Sequence, residues 1–254
     1  MVEPVVTTTY GKIAGYEKDG LFIFKGIPYA VPPVAAQRWL PPQPLKPWTG
    51  IKQANQFATI APQNSSQIQI LVREKEPQNE DCLYLNVWTP GLDNKKRPVM
   101  VWIHGGAFVT GSGSSVSYNG KTLAKRGDTV IVTINYRLGL LGFLNLNEVT
   151  QGRIPATGTE GLLDQILALK WVNENIAAFG GDPGRITIFG ESAGGMSVGC
   201  LLTMPDAKGL FQRAIPQSGA ASTAQPLARA AQISEVFLHV ANVKSNDIEA
   251  LRKI

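Results

Sequence analysis

From residue 80 onward, short apolar runs alternate with segments of helical periodicity. The runs are rich in β-branched and aromatic residues and are bounded by Gly, Pro, Asp or Asn, at 83–88, 99–103, 129–135, 186–189 and 214–215. Several are apolar on both faces, which is typical of strands that helices cover on two sides. The pattern predicts an α/β fold that has a mixed, mostly parallel sheet with helices on both faces.

Three helices are predicted between or after these runs. The first begins near Leu162 and stops at Gly180, a glycine of the kind that ends helices. The second, over 194–204, follows the fourth run directly, and the third covers 226–241. The apolar face of the third helix would consist of Ile233, Val236, Phe237 and Val240.

The last residues predict one more helix. Asn246 and Glu249 have the spacing of a capping box, and Ile248, Leu251 and Ile254 follow at spacings of three. The chain stops inside this helix, without a cap. We therefore expect residues 1–254 to be the N-terminal portion of a single, C-terminally truncated domain, whose missing C-terminal half is its partner.

The first 80 residues have a different character. The β-type runs 5–10 and 21–27 flank the turn sequence Lys18-Asp19-Gly20, which predicts a small N-terminal β-hairpin. Seven prolines between Pro28 and Pro47 exclude a helix or a central strand. They predict an irregular strap that Trp39, Leu40 and Trp48 pin to the core, and a proline-rich peptide ligand is the alternative.

Composition excludes several functional classes. The chain has 24 Lys and Arg against 19 Asp and Glu, a formal charge of +5, and its one basic run, 95–97, is expected to be a solvated loop and not a nucleic-acid patch. No apolar run approaches the roughly eighteen residues of a membrane span, and no secretory signal is visible, so a cytoplasmic location is expected. Cys82 and Cys200 are expected to be buried free thiols. Two histidines supply no metal site.

The sequence Gly190-Glu191-Ser192-Ala193-Gly194 matches G-x-S-x-G between a predicted strand and a predicted helix. A serine nucleophile needs a turn so tight that larger flanking side chains would clash, and the helix that follows directs its positive end at developing negative charge. The alternative is a glycine-rich turn whose serine has no chemical role.

A second motif, His104-Gly105-Gly106-Ala107-Phe108, follows the predicted strand 99–103. Small residues let the backbone approach a substrate, and backbone N–H groups can stabilise an oxyanion. Alone, the glycines could form an ordinary tight turn. Together, the two motifs indicate acyl transfer, because a serine elbow with an HGG-type loop is a recognised pairing.

These motifs and several others, in the same order along the chain, resemble the type-B carboxylesterase (carboxylesterase/cholinesterase) family, and most closely its intracellular bacterial members. The matching segments are 26–30, Arg38, 80–86, 104–108, 135–137, 161–165, 179–183 and 190–195. The resemblance implies an α/β-hydrolase fold in which 1–80 holds the hairpin and strap and 81–254 holds the sheet and the serine elbow. It also implies a small-molecule ester as substrate, with no metal or cofactor.

The resemblance assigns roles to individual residues. Ser192 matches the acyl-enzyme nucleophile. The oxyanion donors match the backbone N–H groups of Gly106, Ala107 and Ala193, with Gly105, Glu191 and Ser218 as supporting residues. Two structural ion pairs are implied, Arg38 with Glu80 and Arg137 with Asp164. The chain departs from the family at Ala35, commonly glycine, and at Ala61, where secreted members carry the partner of the cysteine that matches Cys82.

A hydrolase of this fold also needs an acid and a histidine after the nucleophile. The only later histidine, His239, lies within a predicted helix, four residues after Glu235, and is expected to be exposed. His104 precedes the nucleophile. The triad acid and histidine are therefore expected beyond residue 254. A non-catalytic binding protein of the same fold and an inactive truncated paralogue remain the alternatives, and other α/β-hydrolase families lack segments 26–30 and 80–86.

Overall fold

In this computed structural model, the structure describes residues 3–64, 77–221 and 224–254. The described strands form a seven-stranded sheet with the order β10-β9-β7-β8-β6-β4-β3 and a three-stranded sheet with the order β1-β2-β5. The strands are β1 (Val5–Thr7), β2 (Lys12–Ala14), β3 (Tyr16–Lys18), β4 (Leu21–Pro28), β5 (Ile51–Gln53), β6 (Tyr84–Thr89), β7 (Arg97–Ile103), β8 (Val130–Ile134), β9 (Gly181–Glu191) and β10 (Arg213–Gln217). The α-helices are α1 (Lys121–Gly127), α2 (Gly139–Phe143), α3 (Glu160–Asn175), α4 (Ala193–Leu201), α5 (Leu227–Ala241) and α6 (Ile248–Lys253).

The large sheet confirms the predicted mixed α/β architecture. All five apolar runs form strands, and β8, β7, β9 and β10 pair in parallel. The pairs β8–β6, β6–β4 and β4–β3 are antiparallel, so parallel pairing is confined to one half of the sheet. Helices lie on both faces: α3 and α4 pack against the face of Val101 and Ile188, and α1 packs through Ala124 against Ile131 on the other.

The N-terminal hairpin exists, but its first strand differs from the prediction. The turn Asp19-Gly20 joins β3 to β4, and Lys18 faces Leu21 across it. The run 5–10 instead supplies β1, which pairs with β2 in the small sheet. The prediction paired the wrong strands because Tyr16–Lys18 is too short and too polar to show strand periodicity.

The proline-rich strap is irregular, as predicted, apart from one turn of 3-10 helix at Ala35–Gln37. Trp39 is buried and donates its indole N–H to the Leu140 carbonyl at 2.9 Å. Trp48 is only half-buried and donates to the Lys12 carbonyl at 3.2 Å. Arg38 forms the implied ion pair with Glu80 through two hydrogen bonds of 2.8 and 2.5 Å.

Helix α5 is present, but most of its predicted apolar face is exposed, and of that face only Phe237 packs inward, against Trp39. Val236 is 63% exposed and Val240 78% exposed, whereas Ser234 and Leu238 are buried. Ser234 donates its hydroxyl to the Asn145 carbonyl at 2.5 Å, and Leu238 joins a cluster with Trp39 and Leu251. The apolar pattern therefore identified the helix correctly, but it identified the packing side only at Phe237.

Three smaller expectations were wrong. The cap of α6 is Asp247, whose carboxylate accepts from the Ala250 N–H at 2.9 Å, and not Asn246. Arg97 is only 4% exposed, because its guanidinium bridges Asp93 and Asp128, so the basic run is not wholly solvated. Cys82 is buried, but Cys200 is only half-buried. No helix among the described residues is long and apolar enough to cross a membrane.

A buried ion pair joins the end of the sheet to α3. The Arg137 guanidinium donates to Asp164 at 2.8 and 2.7 Å, and Asp164 also accepts the backbone N–H of Arg137 at 3.0 Å. A third guanidinium hydrogen bond, 2.8 Å long, reaches the Leu40 carbonyl in the strap. The pair implied by the family resemblance is therefore present, and it fastens strap, strand end and helix together.

A buried histidine follows β7. The His104 ring stacks on Tyr136 with centroids 4.4 Å apart, and the Tyr136 hydroxyl donates to the His104 carbonyl at 2.8 Å. Its Nδ1 lies 2.9 Å from the Gly105 carbonyl oxygen and donates to it. Burial lowers the pKa of His104 to about 4, against an opposing effect of the Gly105 hydrogen bond.

Substitution of Asp164 by alanine should strongly destabilise the chain, because it leaves the Arg137 charge buried without its partner. We expect a loss of about 3–5 kcal/mol in the free energy of unfolding, measured by urea titration. The control is Lys121→Ala, which removes the exposed ion pair with Asp19 and should shift the midpoint only slightly. Equal shifts in the two variants would contradict the structural role of Arg137–Asp164.

The His104 site should make stability depend on pH. In the unfolded chain, His104 becomes protonated below its ordinary pKa of 6.5, whereas in the folded chain it stays neutral down to about pH 4. The contribution of neutral His104 to the free energy of unfolding is therefore fully present above pH 6.5. It is lost as the pH falls through this window, by about 3 kcal/mol in all. Urea titrations across the window should show a shallower dependence in His104→Gln and an unchanged one in the exposed-site control His239→Gln. Identical slopes in the two variants would refute this assignment.

Candidate active site

Ser192 occupies a sharp turn between a strand and a helix. Strand β9 ends at Glu191 and helix α4 begins at Ala193, which leaves Ser192 with φ 55° and ψ −122°. This is a strained conformation for a residue with a side chain. The turn fits because its flanking residues are glycines: a Cβ on Gly194 would overlap the Ile103 carbonyl oxygen, and one on Gly190 would lie 2.6 Å from the Gly194 backbone.

The backbone of Ser192 is fixed, whereas its hydroxyl is free. Its N–H donates to the Gln217 carbonyl at 2.9 Å, and its carbonyl accepts from the Met196 N–H at 2.8 Å. The hydroxyl does not cap α4, and it forms no hydrogen bond with any residue that the structure describes. The half-exposed Ser192 side chain is thus held rigidly at its base and has no partner at its tip.

The HGG segment lies directly beside this serine. Ile103 at the end of β7 is in register with Gly190 at the end of β9, so the residues that follow the two strands meet. A Cβ on Gly105 would lie 3.2 Å from the Ser192 Cβ and 2.6 Å from the Glu191 carbonyl oxygen. Only glycine allows this approach, which explains the small residue after His104.

Three backbone N–H groups near Ser192 have no acceptor. Within 3–64, 77–221 and 224–254, the N–H groups of Gly106, Ala107 and Ala193 donate to no residue. Ala193 is the first residue of α4, where helical N–H groups lack intrahelical acceptors and the helix dipole is positive. The Gly106 carbonyl accepts from Val109 and Thr110, each at 3.0 Å, which folds the loop back on itself. Unpaired backbone N–H groups are the donors that an oxyanion requires.

The supporting residues lie on two sides of the elbow. Glu191 is exposed, and its Oε2 would lie 3.2 Å from a Cβ on Gly105. Ser218 is exposed on the turn after β10, with φ 50°. Its neighbour Gly219 approaches the elbow, because a Cβ there would lie 2.5 Å from the Ser192 carbonyl oxygen. The structure thus brings together Ser192, the HGG segment and the 217–219 turn.

Neither histidine is bonded to Ser192. His104 directs Nδ1 at the Gly105 carbonyl and is buried under Tyr136. His239 is exposed, as expected, on α5, the helix that contacts Trp39 through Phe237. The four-residue spacing of Glu235 and His239 on one helix suggests an i,i+4 pair, but the two form no ion pair within the described part of the chain. No group of three or more His, Cys, Asp or Glu among the described residues could hold a metal ion.

Sequence patterns did not reveal Gln63, which contacts the far end of the HGG loop. Its amide oxygen accepts the Gly111 N–H at 2.7 Å, and its amide nitrogen donates to the Gly111 carbonyl at 3.1 Å. A single glutamine in a loop carries no periodicity or motif of its own. Its partner Gly111, six residues after Gly105, was the only available signal.

Comparisons with known proteins identify the family. The model of the carboxylesterase family matches residues 2–251. The para-nitrobenzyl esterase of Bacillus subtilis is 47% identical over all of this chain and 51% of its own length, and the phenmedipham hydrolase of Pseudarthrobacter oxydans is 43% identical over 99% of this chain and 50% of its own.

Solved carboxylesterase structures also superpose closely on this chain. A Geobacillus stearothermophilus carboxylesterase superposes with a TM-score of 0.91 and 50% identity, over 98% of this chain and 50% of its own. A thermophilic PNB esterase gives a TM-score of 0.94 at 45% identity, over 100% of this chain and 52% of its own. The chain thus spans about half the length of the curated relatives it matches. With its fold, its serine elbow and its family match in agreement, the chain belongs to the carboxylesterase family.

Proposed function

We propose that this chain carries the nucleophile and the oxyanion hole of a serine carboxylesterase, as part of a single α/β-hydrolase domain. The observation that carries the proposal is the strained turn at Ser192, with a free hydroxyl beside three N–H groups that have no acceptor. The substrate class is a carboxylic ester, in keeping with the esterase and hydrolase names of the relatives.

The geometry supports a two-step mechanism. Ser192 Oγ attacks the ester carbonyl carbon while a base removes the hydroxyl proton, and the carbonyl oxygen becomes negatively charged. The N–H groups of Gly106, Ala107 and Ala193 stabilise that charge. The C–O bond then breaks, the alcohol leaves with the proton, and water releases the carboxylic acid from the acyl-serine by the reverse sequence of proton transfers.

The base and its acid partner come from outside the described residues. His104 is buried and donates to Gly105, and His239 is exposed on α5 with no hydrogen bond to Ser192 among the described residues. The chain matches only about half of each relative. The polypeptide that corresponds to the other half would supply the histidine and the acid, and it is the natural partner of the free Ser192 hydroxyl.

An exposed apolar residue on the edge strand β10 and an unpaired buried indole support this partnership. The sheet face that carries α1 holds three apolar residues side by side on adjacent strands: Trp102 on β7, Phe189 on β9 and Ile215 on β10. Ile215 is 43% exposed on the edge strand β10, and the buried Trp102 indole N–H has no acceptor in the described structure. An exposed apolar edge strand is a liability in a finished domain. A covering segment with a hydrogen-bond acceptor opposite Trp102 would complete this face.

A cytoplasmic location fits the cysteine chemistry. Ala61 and Cys82 line the same small cavity, so the position next to Cys82 offers no thiol for a disulfide. Burial raises the pKa of the Cys82 thiol, which keeps it protonated and unreactive. Both features suit a reducing compartment. Recovery of the protein from the periplasm or the culture medium would contradict this location.

Activity should therefore require both Ser192 and the second half of the domain. We expect the 254-residue chain alone to hydrolyse p-nitrophenyl esters ~10⁴-fold or more below a complete enzyme, the usual cost of losing triad members. Addition of the matching C-terminal half of the Bacillus subtilis esterase should restore turnover and labelling of Ser192 by an organophosphonate. Intact mass and ester hydrolysis measure the two effects.

The control for this experiment is Ser192→Ala, which should neither label nor turn over ester in any mixture. Turnover by the folded chain alone would show that a base lies within it and would revive His239 as a candidate. A folded mixture that binds its second half but never labels would favour the alternative, a non-catalytic binding protein of the same fold.

A further inference from the structure

We infer that Gln63 is a positioning residue that fixes the direction of the Gly106 N–H in the oxyanion hole, an inference that rests on the function proposed above. Gln63 touches neither Ser192 nor the three N–H donors. It acts through Gly111, at the other end of the loop that carries two of these donors.

The Gln63 amide clamps Gly111 from both sides of its backbone. Besides its two bonds to Gly111, the amide nitrogen donates to the Ala61 carbonyl at 2.9 Å, and the backbone N–H of Gln63 donates to the Gln78 side chain at 2.8 Å. The Ile60 N–H donates to the Pro77 carbonyl at 3.0 Å. The clamp is therefore anchored in a bonded pair of segments and is not a flexible surface contact.

The backbone of Gly111 lies against the first two residues of the HGG segment, His104 and Gly105. A Cβ on Gly111 would lie 2.5 Å from the Gly105 carbonyl oxygen and 2.7 Å from the His104 Nδ1. The same carbonyl accepts the His104 Nδ1–H at 2.9 Å. The Gly105 carbonyl is thus confined by a hydrogen bond and by the backbone of Gly111.

A fixed Gly105 carbonyl also fixes the direction of the Gly106 N–H. The Gly105 carbonyl and the Gly106 N–H belong to one planar peptide unit and point in opposite directions. Rotation of that unit would carry the N–H away from the oxyanion, and Gly106, with φ 113°, has the backbone freedom to rotate. The loop has other restraints, because the Gly106 carbonyl accepts from Val109 and Thr110 and the Phe108 carbonyl accepts the Gly139 N–H at 2.7 Å. Gln63 therefore supplies part of the restraint on the unit and not all of it.

The inference predicts a loop effect and a rate effect of Gln63→Met, which keeps the side-chain length and removes its hydrogen bonds. In the 254-residue chain, amide hydrogen exchange at Val109 and Thr110, whose N–H groups are bonded to the Gly106 carbonyl, should accelerate about 10-fold, because the loop opens more easily. In the preparation that hydrolyses ester, either the chain alone or the chain with its second half, kcat should fall about 10-fold with little change in KM. This loss is smaller than the ~10² to 10³-fold loss in kcat that removal of an oxyanion donor causes.

A trifluoromethyl ketone, which forms an oxyanion on Ser192, separates positioning from general damage. Its affinity should fall by the same factor as kcat, because both depend on the oxyanion hole. Gln63→Ala is the second variant, should Gln63→Met fold poorly. Gln43→Met, at an exposed strap glutamine bonded to the Pro41 carbonyl, is the matched control and should change none of the three quantities.

Two results would overturn the inference. Unchanged exchange at Val109 and Thr110 in Gln63→Met would show that the clamp does not hold the loop, whatever the activity. Faster exchange with unchanged kcat and ketone affinity would show that the loop need not be held. Failure of the proposed function looks different: the unaltered chain with its second half would neither label nor turn over ester, and the positioning role would fall with it.

Discussion

The close approach of α4 to the end of β7 determines the geometry of the candidate site. Gly194 lies so near the Ile103 carbonyl that no side chain fits between them. This contact pulls the first turn of the helix against the sheet and forces the preceding residue, Ser192, into its strained backbone conformation. The strain persists because the surrounding backbone is hydrogen-bonded on both sides, through Gln217 and Met196. The packing of Gly194 against Ile103 therefore also positions the Ser192 hydroxyl.

The same strand end also organises the HGG segment. β7 is paired in parallel with both β8 and β9, so residues after Ile103 emerge between the serine elbow and the 135–137 segment. Tyr136 covers His104 from that segment, and Arg137 next to it is locked to Asp164 on α3. The buried ion pair therefore lies two contacts from the loop that would hold an oxyanion. Its loss would weaken the support of the site as well as the fold.

The sequence predicted those parts of the molecule whose local pattern and tertiary role agree. The five apolar strands, the helix that ends near Gly180 and the serine elbow all have such a pattern. Predictions from local pattern failed where long-range contacts decide: the exposed valines of α5, the burial of Arg97 by two aspartates, and the pairing of 5–10 with β2. Gln63 belongs to this second group, because its role exists only once Gly111 has been brought beside it.

The exposed valines of α5 and the exposed Ile215 on the edge strand β10 have a common explanation. Val236 and Val240 have the periodicity of a buried stripe, yet water covers them here. The free Ser192 hydroxyl is the polar counterpart of these surfaces, since it too has a defined position and no partner. A second half-domain that covers the apolar surfaces and brings a histidine to Ser192 would satisfy both needs in one docking event. Hydrophobic burial would then supply the affinity, and the rigid elbow would ensure that the incoming base meets a nucleophile already in place.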